Sequence, residues 1–403
     1  MVHDIESTKQ YDIVTKSNEQ NGVRRRSFVG VRRLVPIGCF CINFMTSLFA
    51  SFSTTSAASF VTNRNLDSWS INRSKVINSV IADEVVERQP QSGNVRKSRH
   101  PEAIYVHIPF CRRRCFYCDF SIVPVGDVYA QGNQAADGFD NMAKNYAEAV
   151  IKEIEVLKWH KQLDTIESSA TQPLRSIYFG GGTPSVAPTH VLRDILEAIK
   201  KTFDISPDAE ISIEMDPGTF TRSKLHDIVF MGFNRVSLGV QSFDDQLLES
   251  AGRAHRKSDI FDAVRMLQEE GIDNFSIDLI SGLPGLNLAK WTETLQAAVS
   301  LNPSHISCYD LQVEESTPFH KWFGSTNEID EDESIAPKIS TRKNLGMLPS
   351  ADDSAFMYKY ASGYFRSKGF THYEISSYGK PGYYSRHNTL YWEVGSNWYG
   401  KFM

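Results

Sequence analysis

Between Gly22 and Leu66 the chain has no aspartate and no glutamate. Over its whole length acids outnumber bases only slightly, 48 to 43, for a net charge of −5. That balance excludes a uniformly basic surface built for nucleic acid. Cysteine is scarce, six in 403 residues, which excludes a disulfide scaffold. With 25 glycines and 16 prolines, neither a collagen-like nor a fully disordered chain is possible. Long apolar runs are missing too. Residues 34–52 are uncharged, but Pro36, Gly38 and Asn43 interrupt them. A spanning helix needs about 20 apolar residues, so no stable membrane span is expected. The rest is ordinary globular composition, 41% hydrophobic and 23% charged. The length allows two to three domains of about 150 residues, or one barrel-sized domain with extras.

The acid-free segment opens with Arg24, Arg25 and Arg26, followed by Arg32 and Arg33. From Met45 it becomes rich in serine and threonine, the composition of an organellar transit peptide. The acidic lead from Asp4 to Glu19 is atypical ahead of such a peptide, and translation starting at Met45 would explain it. Residues 1–100 are therefore expected to be a targeting or disordered extension. The expected destination is a mitochondrion or plastid, with the cytoplasm as the alternative. Cys39 and Cys41 lie in this segment and are read as bystanders.

From residue 101 short apolar runs alternate with helical patterns. Strands are predicted at Ala103–Ile108, Arg175–Phe179, Glu210–Glu214, Arg235–Val240, Phe275–Leu279 and His305–Asp310. Helices are predicted at 140–161, 188–202, 222–231, 244–251, 258–271 and 289–301. In the fifth, Ile260, Phe261, Val264 and Leu267 recur at helical spacing. Gly232 and Gly271 stand where C-caps would. A repeated strand–helix order predicts an α/β fold with a parallel sheet, a full or partial (β/α) barrel over residues 101–323. Chemistry in such barrels sits at the C-terminal strand ends. Residues 324–352, with the acidic stretch from Asp330 to Glu333 and Pro337, Gly346 and Pro349, read as a loop or linker. A last helix is predicted over about 353–368, and residues 353–403 form the start of a C-terminal region.

Three of the six cysteines fall within eight positions, Cys111, Cys115 and Cys118, on a loop leaving the first strand. Three thiolates can hold three irons of a [4Fe-4S] cluster and leave the fourth open to a non-protein ligand. Arg112, Arg113 and Arg114 would offset an anionic cluster and lower the thiol pKa values. Two blander readings remain: packing cysteines on one helical face, or zinc completed by His107 or Cys308.

The run from Tyr105 through His107, Pro109 and Phe110 to Cys111-x₃-Cys115-x-Tyr117-Cys118 resembles the cluster motif of the radical S-adenosylmethionine (SAM) superfamily. More narrowly it resembles the oxygen-independent coproporphyrinogen III oxidase-like branch, which holds the HemN oxidases and the haem chaperones named HemW. The resemblance runs from about residue 103 to 392. It implies a partial (β/α)6 barrel whose cluster binds SAM at the open iron, where one electron cleaves SAM to methionine and a 5′-deoxyadenosyl radical. It also implies SAM contacts at Tyr105, Tyr117, Gly182 and Thr183 of the Gly180-Gly181-Gly182-Thr183-Pro184 loop, Glu214, Gln241, Arg253 and Asp278. Taken singly these are a glycine turn, a turn-capping acid and surface polar groups. Glu314, Thr317 and Phe319 resemble a HemW-branch signature, against a plain helix start capped by Thr317 before Pro318.

In the tail, His387-Asn388-x-x-Tyr391-Trp392 resembles the HemW haem-binding motif. It makes His387 a candidate axial ligand to haem iron, with Tyr383, Tyr384, Tyr391 and Trp392 near a porphyrin face. The alternative is a packed, hydrogen-bonded core histidine. Phe120 occupies the position where HemN-type oxidases carry a further cysteine, which favours the chaperone branch. The family continues past this motif with a Gly-rich strand end and a helical domain. The chain ends eleven residues after Trp392, so a C-terminally shortened member is expected. Three functions follow in order. The first is a haem chaperone with [4Fe-4S] cluster, SAM and haem, an electron donor and a haem-acceptor protein. The second is a coproporphyrinogen III oxidase decarboxylating propionates, and the third an inactive shortened barrel.

Overall fold

Eight short strands lead the first part of the fold: β1 (Ala103–Ile108), β2 (Phe110–Cys111), β3 (Val123–Pro124), β4 (Leu174–Gly181), β5 (Ile205–Met215), β6 (Arg235–Gln241), β7 (Phe275–Ser281) and β8 (His305–Asp310). Three more follow, β9 (Thr371–His372), β10 (Ser377–Gly379) and β11 (Trp398–Tyr399). The computed structural model describes residues 101–127, 134–164, 173–323, 345–393 and 398–399. The arginine-led transit-like segment, Cys39, Cys41, Met45 and the acidic stretch from Asp330 lie outside the described residues.

The sheet order is β11-β1-β4-β5-β6-β7-β8-β10-β9. Strands β1 and β4 to β8 run parallel, and β10 pairs antiparallel with β8 and β9. Six parallel strands in an open sheet make the partial barrel. Helices α1 (Gln134–Asp164), α2 (Thr189–Thr202), α3 (Arg222–Phe230), α4 (Asp245–Ser250), α5 (Lys257–Glu269) and α6 (Leu288–Ser300) connect them. Then come α7 (Pro318–Phe323), α8 (Ala351–Ser367) and α9 (Arg386–Trp392). The predicted limits of β1 and β8 match, and the helices agree within a few residues. The short elements β2, β3, β9 to β11, α7 and α9 carry too few residues for a period to be legible.

Register explains why this sequence closes this way. Ile104 faces Ile177, which faces Ile211, while Ile213, Val236 and Phe275 continue the same row. These alternate residues are buried in one apolar core with Val191, Ile195, Ile260, Val264, Trp291 and Leu295 of the helices. Residues of opposite parity are polar: Tyr178, Ser212, Arg235, Ser276 and His305 line the inner face. A shift of one residue on any strand would move a polar set into the helix layer. Gly232 and Gly271 follow α3 and α5 with φ of 105° and 75°, as left-handed caps require. At the other end of α5, the Arg256 backbone N–H donates to the Asp259 carboxylate at 2.8 Å.

Candidate cluster and cofactor site

The thiols sit on a loop pinned at both ends. β2 and β3 form a two-residue parallel ribbon, with Val123 N–H donating to Pro109 O and Val125 N–H to Cys111 O, both at 2.8 Å. His107 Nε2 bonds Ser121 O at 3.0 Å across the same neck. Inside the loop, Arg114 donates to the carbonyls of Cys118, Phe120 and Ile122 at 3.0 to 3.3 Å. Phe116 N–H donates to Ala251 O, and Phe319 N–H to Phe116 O, each at 3.0 Å. The loop is thus clamped between the α4–α5 turn and α7. Thr317 caps α7, its Oγ1 donating to Glu314 O at 2.7 Å and accepting from His320 N–H at 3.2 Å. That is the plain helix-start geometry. Phe319 behind it is fully buried.

The arginines differ from expectation. Arg112 pairs with Asp127, and Arg114 is spent on the loop's own carbonyls. The guanidinium that reaches a thiol is Arg253, whose Nη1 lies 3.3 Å from Cys115 Sγ and 3.4 Å from Tyr117 Oη. Thr183 Oγ1 donates to Cys111 Sγ at 3.4 Å. The Cys111 and Cys118 thiols are not lowered on balance, although the Arg114 and Arg253 charges pull Cys118 down. Burial pushes Cys111 up to about 12 and Cys118 up to about 11, the charges of the neighbouring cysteines adding to it. Coordination overrides such shifts, because a metal-bound thiol is deprotonated outright.

Above the thiols the glycine loop leaves β4. Gly182 N–H donates to Ile108 O at 2.9 Å and Thr183 N–H to Phe110 O at 2.7 Å. A β-carbon on Gly182 would meet Ile108 O at 2.7 Å, so only glycine lets the two backbones approach. Gly181 N–H donates to Glu214 Oε2 at 2.9 Å, and Tyr178 Oη to Oε1 at 2.8 Å. Burial still pushes the Glu214 carboxyl up to about 7, with the Asp278 charge adding to it. Asp278 lies within β7. Its carboxylate accepts from Ser237 at 2.8 Å and Ser276 at 3.1 Å, and burial raises its pKa. Gln241 ends β6 after a register shift between Leu238 and Gln241, at φ 67°. A glutamine held there is strained, unlike Asn302 at φ 56° in the turn after α6, since asparagine tolerates that region. The Gln241 Oε1 and Arg253 Nε atoms are buried without a hydrogen-bond partner. Tyr105 lies deeper, stacked on Tyr178 with ring centroids 6.0 Å apart.

The donor set fits a cluster and a small polar ligand. Three thiols share one clamped loop, Gln241 Oε1 at the end of β6 and the Arg253 Nε–H beyond it are buried without partners, and a β-carbon on Gly182 would meet the Ile108 and Phe110 carbonyls. Zinc fits less well. A zinc ion would need a fourth ligand beside the three thiols, whereas a cubane takes one thiolate on each of three irons. His107 is bonded to Ser121 O, and Cys308 is buried on the helix side of β8.

His387 lies at the other end of the barrel. It is 4% exposed, with Nδ1 2.9 Å from Ser176 Oγ and Nε2 3.4 Å from Tyr391 Oη. Its ring stacks on Tyr178 at 5.0 Å. Burial pushes its pKa down to about 3, so the imidazole is neutral. Neither ring nitrogen is free for iron in this arrangement, which is that of the packed core histidine. Tyr384 stacks on Tyr373 at 4.6 Å. Asp216, Tyr178 and Gly239 join these residues without a motif of their own; the only signal for Asp216 in the sequence is its place two residues after Glu214.

The radical SAM superfamily profile matches residues 105–298. A protein named heme chaperone HemW from Synechocystis sp. is 42% identical over 292 residues, covering 72% of this chain and 62% of the relative. One of the same name from Lactococcus lactis is 32% identical over 300 residues, covering 74% and 68%. A bovine protein named radical S-adenosyl methionine domain-containing protein 1, mitochondrial, is 30% identical over 296 residues, covering 73% and 58%. The chain therefore spans about three fifths to two thirds of these relatives' lengths. Among solved structures, coproporphyrinogen III oxidase (HemN) from Escherichia coli superposes with a TM-score of 0.57 at 20% identity, covering 80% of this chain and 71% of that one. At that identity the likeness speaks for the fold alone. Among the described residues no helix is long and apolar enough to cross a membrane.

Proposed function

We propose, from the premise that the chain belongs to the radical SAM superfamily and within it to the haem chaperone HemW family, that it binds haem and passes it to an acceptor protein. Membership implies a [4Fe-4S] cluster and SAM, and with them an electron donor. The observation that carries the reading is the barrel mouth: three thiols on one clamped loop, with Arg253 against Cys115 and unpartnered polar atoms beside it. Cys111, Cys115 and Cys118 would hold the cluster. Gly182, Thr183, Glu214, Gln241 and Arg253 would contact SAM beside it, together with Asp278, Tyr105 and Tyr117. When bound, cluster and SAM supply one-electron chemistry that no side chain can. The protein's part is to orient them: Thr183 toward Cys111, Arg253 toward Cys115, and Glu214 held by Gly181 N–H and Tyr178.

Haem comes to this chain from the relatives' name and from Phe120 in place of the oxidases' further cysteine. His387 bonds Ser176 and Tyr391 within the barrel and would have to give up one of these partners to bind iron. The runner-up remains coproporphyrinogen III decarboxylation. Anaerobically reconstituted protein is expected to hold about four irons and bind about one haem per chain. It is expected not to convert coproporphyrinogen III with SAM and a reductant. Cys111→Ala should lose the cluster while the chain stays folded. Decarboxylation without haem binding would overturn the chaperone reading in favour of the oxidase. For location, we infer organellar import directed by residues 45–100; the bovine relative is named mitochondrial. A reporter carrying those residues that stays in the cytosol would refute import.

A further inference from the structure

We infer that Asp216 is the positioning residue of the cofactor site, holding the Arg253 guanidinium at the cluster loop so that it can receive the carboxylate of SAM. The inference rests on the radical SAM reading above and adds a residue that this reading does not assign.

Arg253 lies in the turn after α4, far in sequence from the cysteines, and its side chain is 7% exposed. A buried guanidinium needs a counter-charge. The acid in direct contact is Asp216, which pairs with Nη2. The same nitrogen donates to Gly239 O at 2.7 Å, and its other close neighbour is His255 Nδ1 at 3.5 Å. His255 is itself held by Val240 O at 3.1 Å. One edge of the guanidinium is thus spent on Asp216 and β6. The other terminal nitrogen, Nη1, donates to Cys115 Sγ at 3.3 Å and to Tyr117 Oη at 3.4 Å. Nε has no partner. A guanidinium fixed at both η nitrogens and keeping an open Nε–H is placed to take one oxygen of an incoming anion.

Asp216 is in turn fixed from behind. Its backbone N–H donates to Ser185 Oγ at 3.1 Å, Ser185 Oγ is 2.6 Å from Thr219 Oγ1, and Thr219 Oγ1 donates to Asp216 O at 2.7 Å. Ser185 follows the glycine loop, so the loop is tied to the Asp216 backbone and Arg253 to its carboxylate. Space confirms the tight fit: a β-carbon on Gly239 would lie 2.6 Å from the Asp216 carboxylate and 3.3 Å from Arg253 Nη2. The chain of support runs from β4 through β5 to the turn after α4.

The test uses the reconstituted full chain and SAM itself as probe, read by the SAM-induced change in the electron paramagnetic resonance spectrum of the reduced cluster. Asp216→Asn keeps the shape and removes the charge. It is expected to retain the parent's iron content while SAM affinity falls about ten-fold, the scale of one charge-assisted hydrogen bond. Arg253→Lys should lose a similar amount. In the Arg253→Lys background, Asp216→Asn should change affinity by less than about two-fold, because the two act as a unit. Gly239→Ala, which crowds the pair, should show the same phenotype and decides the matter if Asp216→Asn does not fold. SAM affinity within about two-fold of the parent in both variants would overturn the inference. So would full additivity of the two losses, or loss of cluster iron from a folded Asp216→Asn protein. If the parent holds its cluster and binds no SAM at all, the radical SAM reading itself fails and takes this inference with it.

Discussion

The two ends of the barrel are both polar and both buried, yet they are finished differently. At the floor, Glu210 accepts from the backbone N–H groups of Arg386 at 3.2 Å and His387 at 3.3 Å, and faces Arg235 at 3.8 Å. Arg235 donates to Asn274 at 2.8 Å and to Tyr383 O at 3.2 Å. His305 bonds Ser276 and Tyr373, both at 2.8 Å. Each of these groups has its partners within the chain. At the mouth, Gln241 Oε1 and Arg253 Nε have none, and Gln241 holds a left-handed backbone. A satisfied polar network closes a fold, while an unsatisfied, strained one is built for something that arrives later.

Substitutions can break that contrast. The largest effect is expected at the floor. Arg235→Met strands the buried Glu210 carboxylate and should cost about 3–5 kcal/mol, as loss of one member of a buried pair does. Iron content of the surviving folded protein should not change. At the mouth, Gln241→Gly should shift stability by less than about 1 kcal/mol, relief of strain offsetting the added freedom of the unfolded chain. Anaerobic urea unfolding of both variants checks this. Equal losses at the two ends would erase the distinction.

A smaller effect sets the ends in opposition with pH. Glu214 is raised from 4.5 to about 7 by burial, so the folded state binds its proton more tightly than the unfolded state. Its contribution to stability is complete below about pH 4.5 and is lost as pH rises toward 7. His387 is lowered from 6.5 to about 3 by burial. Its contribution is complete above pH 6.5 and is lost as pH falls toward 3. Each slope is a fraction of the roughly 1.4 kcal/mol per pH unit that one full proton carries. In the cluster-free protein, Glu214→Gln should flatten the decline between pH 5 and 7 and His387→Gln the decline below about pH 6. Urea midpoints across that range provide the measurement. An unchanged profile in Glu214→Gln would mean that the carboxyl is not buried as described.

Much of this molecule was determined locally, and that part is legible in the chain. Alternation along Ala103–Ile108 and His305–Asp310 sets which side chains meet the helices, because a strand's period is two whatever surrounds it. The spacing of Cys111, Cys115 and Cys118 likewise puts three thiols on one loop without help from elsewhere. What only tertiary structure decided are the partners. Arg114, adjacent to the thiols in sequence, folds back on its own loop carbonyls. Arg253, 138 positions from Cys115, supplies the guanidinium instead. Asp216 becomes its anchor because β5 and β6 pair in the register that brings Glu214 opposite Ser237. His387 stands between aromatic neighbours in either setting, and its place in the floor depends on Ser176, 211 positions earlier. A short-range pattern fixes which face a residue takes. Which charge it meets across the barrel depends on contacts between strands far apart in the chain, and those are set by packing and register.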